Sequence, residues 1–262
     1  MNPLVSVIMP AYNAERWIAE AIDSILNQTY DNIELLIYDD GSTDKTLEII
    51  MGYANKYFMV PREFTKVMAW NDFEGKNLGV TVALNRLIGA CKGKYIARMD
   101  ADDIAMPTRI EDQVRYIKYW QKCAGVGCEI ELFGDENKNK RRDWWGDVYI
   151  NTETIQRKLP YRNPLCHPSM LFYGDTLREY MYEGGVFQDY DLFLRMASDG
   201  KLFSKVPQML MKYRVRSDSV AAVAESNWAE IKLKLRFLAK KFPRWNKFDI
   251  HVMRSIWQIL WR

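Results

Sequence analysis

Residues 97–107 read Ala-Arg-Met-Asp-Ala-Asp-Asp-Ile-Ala-Met-Pro, which places Asp100, Asp102 and Asp103 directly after the apolar run Tyr95-Ile96-Ala97. Carboxylates crowded at the end of a buried strand repel one another and lose hydration, so the pattern calls for positive charge beside them. A divalent cation of the Mg²⁺ type meets that need. Such an ion takes one or two protein carboxylates and completes its shell with substrate phosphates. The stretch therefore points to a metal–diphosphate site. Asp-x-Asp by itself is a common pattern. The other reading of the same residues is a polar loop, with Asp102 or Asp103 capping a helix that begins at Pro107.

The flanking sequence supplies elements that can carry this chemistry. Residues 4–9 are apolar and read as a buried strand, after which Pro10-Ala11-Tyr12-Asn13 turns the chain. Over 14–28, Trp17, Ile18, Ala21, Ile22 and Ile25 fall on one helical face. Residues 33–38 form a second strand, ending in Asp39-Asp40-Gly41-Ser42, and Ser42 or Thr43 can cap a helix reaching about Tyr57. Within the ambiguous 58–76 stretch, 66–70 suits a short strand. A helix over 78–91, a strand over 95–99, a helix from 107 to about 120 and a strand over 126–133 complete the series. Alternating strands and helices imply a mostly parallel sheet with helices on both faces. Ligands bind such sheets at the carboxyl ends of the strands. Tyr12-Asn13, Asp39-Asp40 and Asp100–Asp103 all fall there.

At 262 residues and 48% hydrophobic, the chain suits one α/β domain, alone or with an appendage. Cys91, Cys123, Cys128 and Cys166 are scattered without a C-x-x-C, as expected of reduced thiols in a cytoplasmic protein. The apolar stretch at 4–9 is too short for a signal peptide, and no run reaches the ~18 residues of a transmembrane helix. Residues 228–262 hold nine Lys/Arg against two Asp/Glu, a surplus of +7 that leaves −4 on the remainder of a chain whose total is +3. In this tail Trp228, Ile231, Leu235, Leu238 and Phe242 recur at helical spacing, and Pro243 separates them from a second apolar stretch bearing Trp257 and Trp261. Two amphipathic helices lying on an anionic membrane is one reading; packing on the main domain, or forming a homodimer, is the other. Residues 134–150 read as a solvated loop or as a flap over an acceptor. No nucleic-acid partner is expected. Pro10-Ala11-Tyr12-Asn13 lacks glycine, which argues against a dinucleotide-dependent oxidoreductase and against a sugar-nucleotide pyrophosphorylase.

Taken together, the motifs resemble those of an inverting, GT-A-fold glycosyltransferase of family 2. Pro10-Ala-Tyr-Asn13, Ser24-Ile-Leu-Asn-Gln-Thr-Tyr30 and Asp39-Asp-Gly-Ser-Thr-Asp44 match the family's opening. Asn77-Leu-Gly79, Ala83-Leu-Asn85 and Gly93-Lys-Tyr-Ile96 match its middle, and Asp100-Ala-Asp-Asp103 with Pro107 its metal motif. His167-Pro-Ser169, Asp189-Tyr-Asp191 and Tyr213-Arg214 match its acceptor half, so the resemblance spans about residues 4–220.

The resemblance implies a GT-A (Rossmann-like), mixed and mostly parallel sheet flanked by helices. It divides residues 1–227 into a nucleotide-sugar half, about 1–106, and an acceptor half, about 107–227, followed by the helical appendage at 228–262. It puts Pro10, Ala11, Tyr12, Asn13, Asp40, Asn77, Asp100 and Ala101 on the nucleotide donor, with Asp40 accepting from a uracil-type imide. Residue chemistry alone also permits Tyr12 as a packed turn aromatic, Asp40 as a helix cap and Asn77 as a turn former. Asp102 would ligate Mn²⁺ or Mg²⁺, with Asp100 on the ribose or in the metal shell. Asp189 would act as general base, or else simply as a first-turn helix acid. His167, Arg214 and Arg216 are candidates for diphosphate or acceptor contacts, although a lone histidine such as His167 also suits a structural role.

The pattern departs from the family twice. Gln188 replaces the usual glutamate before the base, and Arg216 stands where a histidine often follows Tyr-Arg. Arginine cannot ligate a cation, but it can pair bidentately with a diphosphate. The implied activity is transfer of a sugar from a nucleotide-diphosphate donor, UDP-linked by preference, to a hydroxyl of a glycan or lipid-linked acceptor. Surface polysaccharide or glycolipid assembly at the inner face of the cell membrane is the expected setting. A non-catalytic donor-binding protein on the same scaffold is the alternative.

Overall fold

The computed structural model describes residues 2–58, 65–71, 75–120, 123–134, 151–184 and 187–216. The 228–262 tail and all but the first residue of 134–150 lie outside them. The first half alternates regularly: β1 (Val5–Ala11), α1 (Ile18–Leu26), β2 (Ile33–Asp39), α2 (Thr46–Phe58), β3 (Thr65–Asn71), α3 (Val80–Ala90) and β4 (Tyr95–Arg98). The second half is less regular: β5 (Ile104–Ala105), α4 (Arg109–Tyr119), β6 (Cys123–Phe133), α5 (Thr152–Lys158), a 3₁₀ turn (His167–Ser169), β7 (Leu171–Tyr173), α6 (Gly174–Tyr180), α7 (Gln188–Ser198) and β8 (Leu202–Arg214).

These strands form one eight-stranded sheet in the order β3-β2-β1-β4-β7-β6-β8-β5. β1 lies parallel to β2 and β4, β2 to β3, and β6 to β8. Strand β7 runs antiparallel to β4 and β6, joining the two halves, and β5 runs antiparallel to β8 at the edge. Side chains alternate across the sheet. Val5, Val7 and Met9 of β1 therefore face a core with Ile18, Ile22 and Ile25 of α1 and Ile110, Val114 and Ile117 of α4. Ile8 faces the opposite core, with Leu84, Leu87 and Ile88 of α3 and Leu192, Phe193 and Met196 of α7. Strands β1 and β2 are buried on both faces, which is why they read as nearly unbroken apolar runs.

The boundaries correct several expectations. β1 continues through Pro10 to Ala11 rather than turning there. Ile8 C=O accepts from Met99 N and Ala11 C=O from Asp40 N, so alternation aims Pro10 toward β4. Pairing with β4 ends at Ile8↔Arg98, and a residue without an N–H leaves nothing unpaired at that position. The turn falls at the end of the expected Pro10–Asn13 segment, at Asn13, whose φ is 47°. Helix α2 starts at Thr46, whose amide is held by Asp44 at 2.9 Å. Ser42 does not cap it; Ser42 Oγ accepts the Asn13 amide at 2.9 Å. Helix α4 starts at Arg109 with Thr108 before it, so neither Asp102 nor Asp103 is its cap. The four cysteines are buried and free. Among the described residues, no helix is long and apolar enough to cross a membrane.

Candidate active site

Carboxylate oxygens of Asp100, Asp102 and Asp103 all lie within 4.8 Å of one another, just past the carboxyl end of β4. Asp103 is buried, while Asp100 and Asp102 are partly exposed. Burial, followed by the charge of Asp100, raises the carboxyls of Asp102 and Asp103 above their ordinary range. The protein supplies counter-charge to two of the three acids, Asp100 and Asp102. Arg98, buried at the end of β4, forms an ion pair with Asp100. Burial works against its charge, but Asp100 outweighs that cost and raises its pKa. Arg216 Nη1 lies 3.1 Å from Asp102 Oδ2. Asp103 Oδ1 instead accepts the Arg214 amide at 2.8 Å, and Arg214 Nε donates to the Asp102 carbonyl at 2.8 Å. Asp103 Oδ2 is buried with no hydrogen-bond partner. An all-oxygen donor set with an unsatisfied buried oxygen fits a hard cation such as Mg²⁺ or Mn²⁺.

The residues expected on the nucleotide donor gather around the ends of β1 and β2. Tyr12 is 47% exposed. Asn13 Oδ1 accepts the Thr43 amide at 2.9 Å, tying the two strand ends together. Pro10 is partly exposed, whereas the Ala11 and Ala101 side chains are buried in the core beneath. Asp40 does not cap α2. Its two carboxylate oxygens accept the amides of Leu78 at 2.9 Å and Gly79 at 2.8 Å. Asn77 Oδ1 also accepts from Gly79 N, at 3.0 Å. Asp40 thus holds the segment leading into α3, and each of its oxygens keeps a lone pair for a further donor. Asp39 accepts the Ser42 amide at 3.1 Å.

On the other side, Asp189 is the second residue of α7, whose N-cap is Phe187. Asn163 Nδ2 reaches Asp189 Oδ2 at 3.2 Å. Burial raises the Asp189 carboxyl, opposed by the Tyr190 amide and by Arg98. His167 lies in the core, with Nε2 2.6 Å from Tyr182 Oη and the ring edge-on to Phe193. Burial first, then Arg98, pushes its pKa well below 6.5, so it is neutral. His167 is placed as a packed histidine. The Arg214 guanidinium sits 4.2 Å from the Phe133 ring and 3.0 Å from Glu20.

Four contributors were not singled out from sequence. Arg98 carried a signal, since a charged residue closing a buried strand needs a partner. Trp17, over whose ring Arg216 lies at 4.3 Å, was identified only as core. Asn163 gave no signal. Arg109 is fully buried and donates to the carbonyls of Arg98 at 2.7 Å and Pro168 at 2.9 Å. Gln113 on the same helix holds the Val126 and Ser169 carbonyls at 3.1 and 2.7 Å. Helix α4 thus fastens the acid-bearing strand to the turn that precedes β7.

The fold is that of GT-A glycosyltransferases. TarS 1–349 of S. aureus, crystallised with UDP-GlcNAc, superposes with a TM-score of 0.69 at 16% identity, over 98% of this chain and 71% of that one. The mannosyltransferase PcManGT of Pyrobaculum calidifontis, in complex with GDP-Man and Mn²⁺, gives 0.67 at 18% identity, over 99% and 69%. Residues 6–179 match the model for glycosyl transferase family 2, and the chain belongs to that family. Its relatives include an uncharacterized glycosyltransferase of Haemophilus influenzae, 32% identical over 89% of this chain and 72% of that protein. The O-antigen biosynthesis glycosyltransferase WbnJ of Escherichia coli is 29% identical over 91% and 90%. The chain is accordingly a glycosyltransferase.

Proposed function

We propose that this enzyme transfers a sugar, with inversion, from a nucleotide-diphosphate donor to a hydroxyl of a glycan or lipid-linked acceptor in surface polysaccharide assembly. The observation that carries this reading is the cluster of Asp100, Asp102 and Asp103 within 4.8 Å at the carboxyl edge of the sheet. Tyr12, Asn13 and Asp40 follow the carboxyl ends of β1 and β2, the strand ends on the same edge, and a UDP-sugar is favoured because Asp40 can accept from a uracil imide. Asp102, with Asp100 in support, would hold Mn²⁺ or Mg²⁺. Bound there, the ion would supply charge neutralisation for the departing diphosphate.

The chain's own residues do the rest. Asp189 takes the proton of the acceptor hydroxyl, whose oxygen attacks the anomeric carbon from the face opposite the diphosphate. The new carbon–oxygen bond forms as the bond to the diphosphate oxygen breaks, and that oxygen keeps the electron pair. Asn163 orients the carboxylate of Asp189, and Arg216 offers a planar cation to the phosphates. We assign residues 1–227 to the catalytic domain and the basic 228–262 tail to contact with an anionic membrane. The O-antigen biosynthesis relative WbnJ supports the polysaccharide setting.

The test is donor turnover by wild type, Asp102→Ala and Asp189→Ala, using UDP- and GDP-sugars with Mn²⁺. Both substitutions should lower turnover by at least ~10²-fold. Wild-type turnover in both variants would sink the assignment.

A further inference from the structure

Arg216 occupies an informative position. Its Nη1 holds Oδ2 of Asp102, the carboxylate assigned to the cation, at 3.1 Å. The guanidinium also lies over the Trp17 ring, its Cζ 4.3 Å from the ring centroid. Both partners keep some exposure, 24% for Arg216 and 21% for Asp102, so water and ligands reach the pair. Asp100 has its own counter-ion in the buried Arg98. A cation approaching Asp102 Oδ2 must therefore compete with a protein cation already bonded to that oxygen. A nucleoside diphosphate offers the same guanidinium a second anionic partner that it can grip bidentately.

We propose that Arg216 is an exchangeable counter-ion, held on Asp102 until a nucleoside diphosphate draws it away and frees the carboxylate for the cation. This rests on the metal–diphosphate reading above. Its consequence is coupling: cation and nucleotide each bind better in the presence of the other, because each relieves what opposes its partner. Arg216 is then a positioning residue that sets the order of loading, since the cation alone meets an arginine.

The experiment is titration of the full chain with Mn²⁺, followed by electron paramagnetic resonance of the free ion. Wild type, Arg216→Gln and Arg216→Lys are compared, each with and without UDP. Without UDP, Arg216→Gln should bind Mn²⁺ about five- to tenfold more tightly than wild type, the scale of a partly buried ion pair. Arg216→Lys keeps the charge but loses the planar guanidinium, and should fall between. UDP should tighten Mn²⁺ binding by wild type more than by Arg216→Gln. A merely structural role predicts the opposite, weaker Mn²⁺ binding in the variants. Equal or weaker Mn²⁺ binding by both variants without UDP overturns the exchange while leaving the metal site standing. Failure of all three proteins to bind Mn²⁺, with and without UDP, overturns the metal site and the exchange together.

Discussion

Substituting Asp40 by alanine should destabilise the protein through one small segment, and the size of the effect follows from four atoms. The carboxylate is buried and accepts two backbone amides, Leu78 at 2.9 Å and Gly79 at 2.8 Å. Hydrogen bonds to a charged acceptor contribute roughly 1.5–3 kcal/mol each. Two corrections lower the total. Leu78 is 41% exposed, so water can replace the lost acceptor, and the Gly79 amide keeps the Asn77 side chain at 3.0 Å. The net cost of Asp40→Ala is then about 2–3 kcal/mol, or a drop of roughly 4–10 °C in Tm for a chain of this size. Asp40→Asn keeps one acceptor oxygen but turns an NH₂ toward the other amide, so it should recover about half. The neighbouring Gly41 reinforces the point. It has φ 77°, and a Cβ there would come within 2.8 Å of the Lys76 backbone, so the segment before α3 rests directly on this turn. Thermal melts combined with hydrogen exchange at Leu78 and Gly79 measure both effects. Asp40→Ala within about 1 °C of wild type, with those two amides as protected as before, would refute the reasoning.

Gly93→Ala should be severely destabilising, because its Cβ would lie 2.6 Å from Ser6 N and from Tyr95 O, forcing β1 away from the start of β4; soluble yield and Tm report it. His167 has its folded pKa below 6.5, so its neutral form contributes stability above about pH 6.5, and that contribution is lost as the pH falls and the unfolded chain takes up the proton. Wild-type Tm should accordingly fall more steeply than that of His167→Gln between about pH 6.5 and 5. For Asp189, whose pKa is raised, the acid limb of kcat should lie above the ordinary carboxylate range of about 4. Asp189→Asn should lower kcat while UDP affinity in a direct binding assay stays unchanged, and a limb at the ordinary position would point to a different base.

The fold is legible in the sequence where burial leaves a one-dimensional trace. Strands β1, β2 and β4 are buried on both faces, so their apolar runs stood out, and α1 displayed its stripe because only one side is covered. It is hidden where pairing is decided by distant partners. Strand β7 has only three residues, and β8 carries buried Ser204 and Lys205 with Pro207 and bulges against β6, so neither shows a period. Lys205 is tolerable there because Glu129 of β6 lies 2.7 Å away, a fact invisible along the chain. The same division holds at the site. Asp100, Asp102 and Asp103 fall within four successive residues and can be read together. The Arg216–Asp102 pair spans 114 residues and Asn163–Asp189 spans 26, and nothing local announces either.

Arg109 has a consequence for engineering this enzyme. A guanidinium sealed in the core, bonded to the carbonyls of Arg98 and Pro168, acts as a rivet between the strand that presents the acids and the turn that leads into β7. Gln113 adds a second fastening one helical turn away. Segments grafted from a relative to change the acceptor must therefore either include helix α4 together with the strand and the turn that Arg109 joins, or leave all three untouched. A seam cut between α4 and the 3₁₀ turn would strand a buried charge without its carbonyls. New acceptor preference is better sought in the surface segments around this clamp than by exchanging the halves it joins.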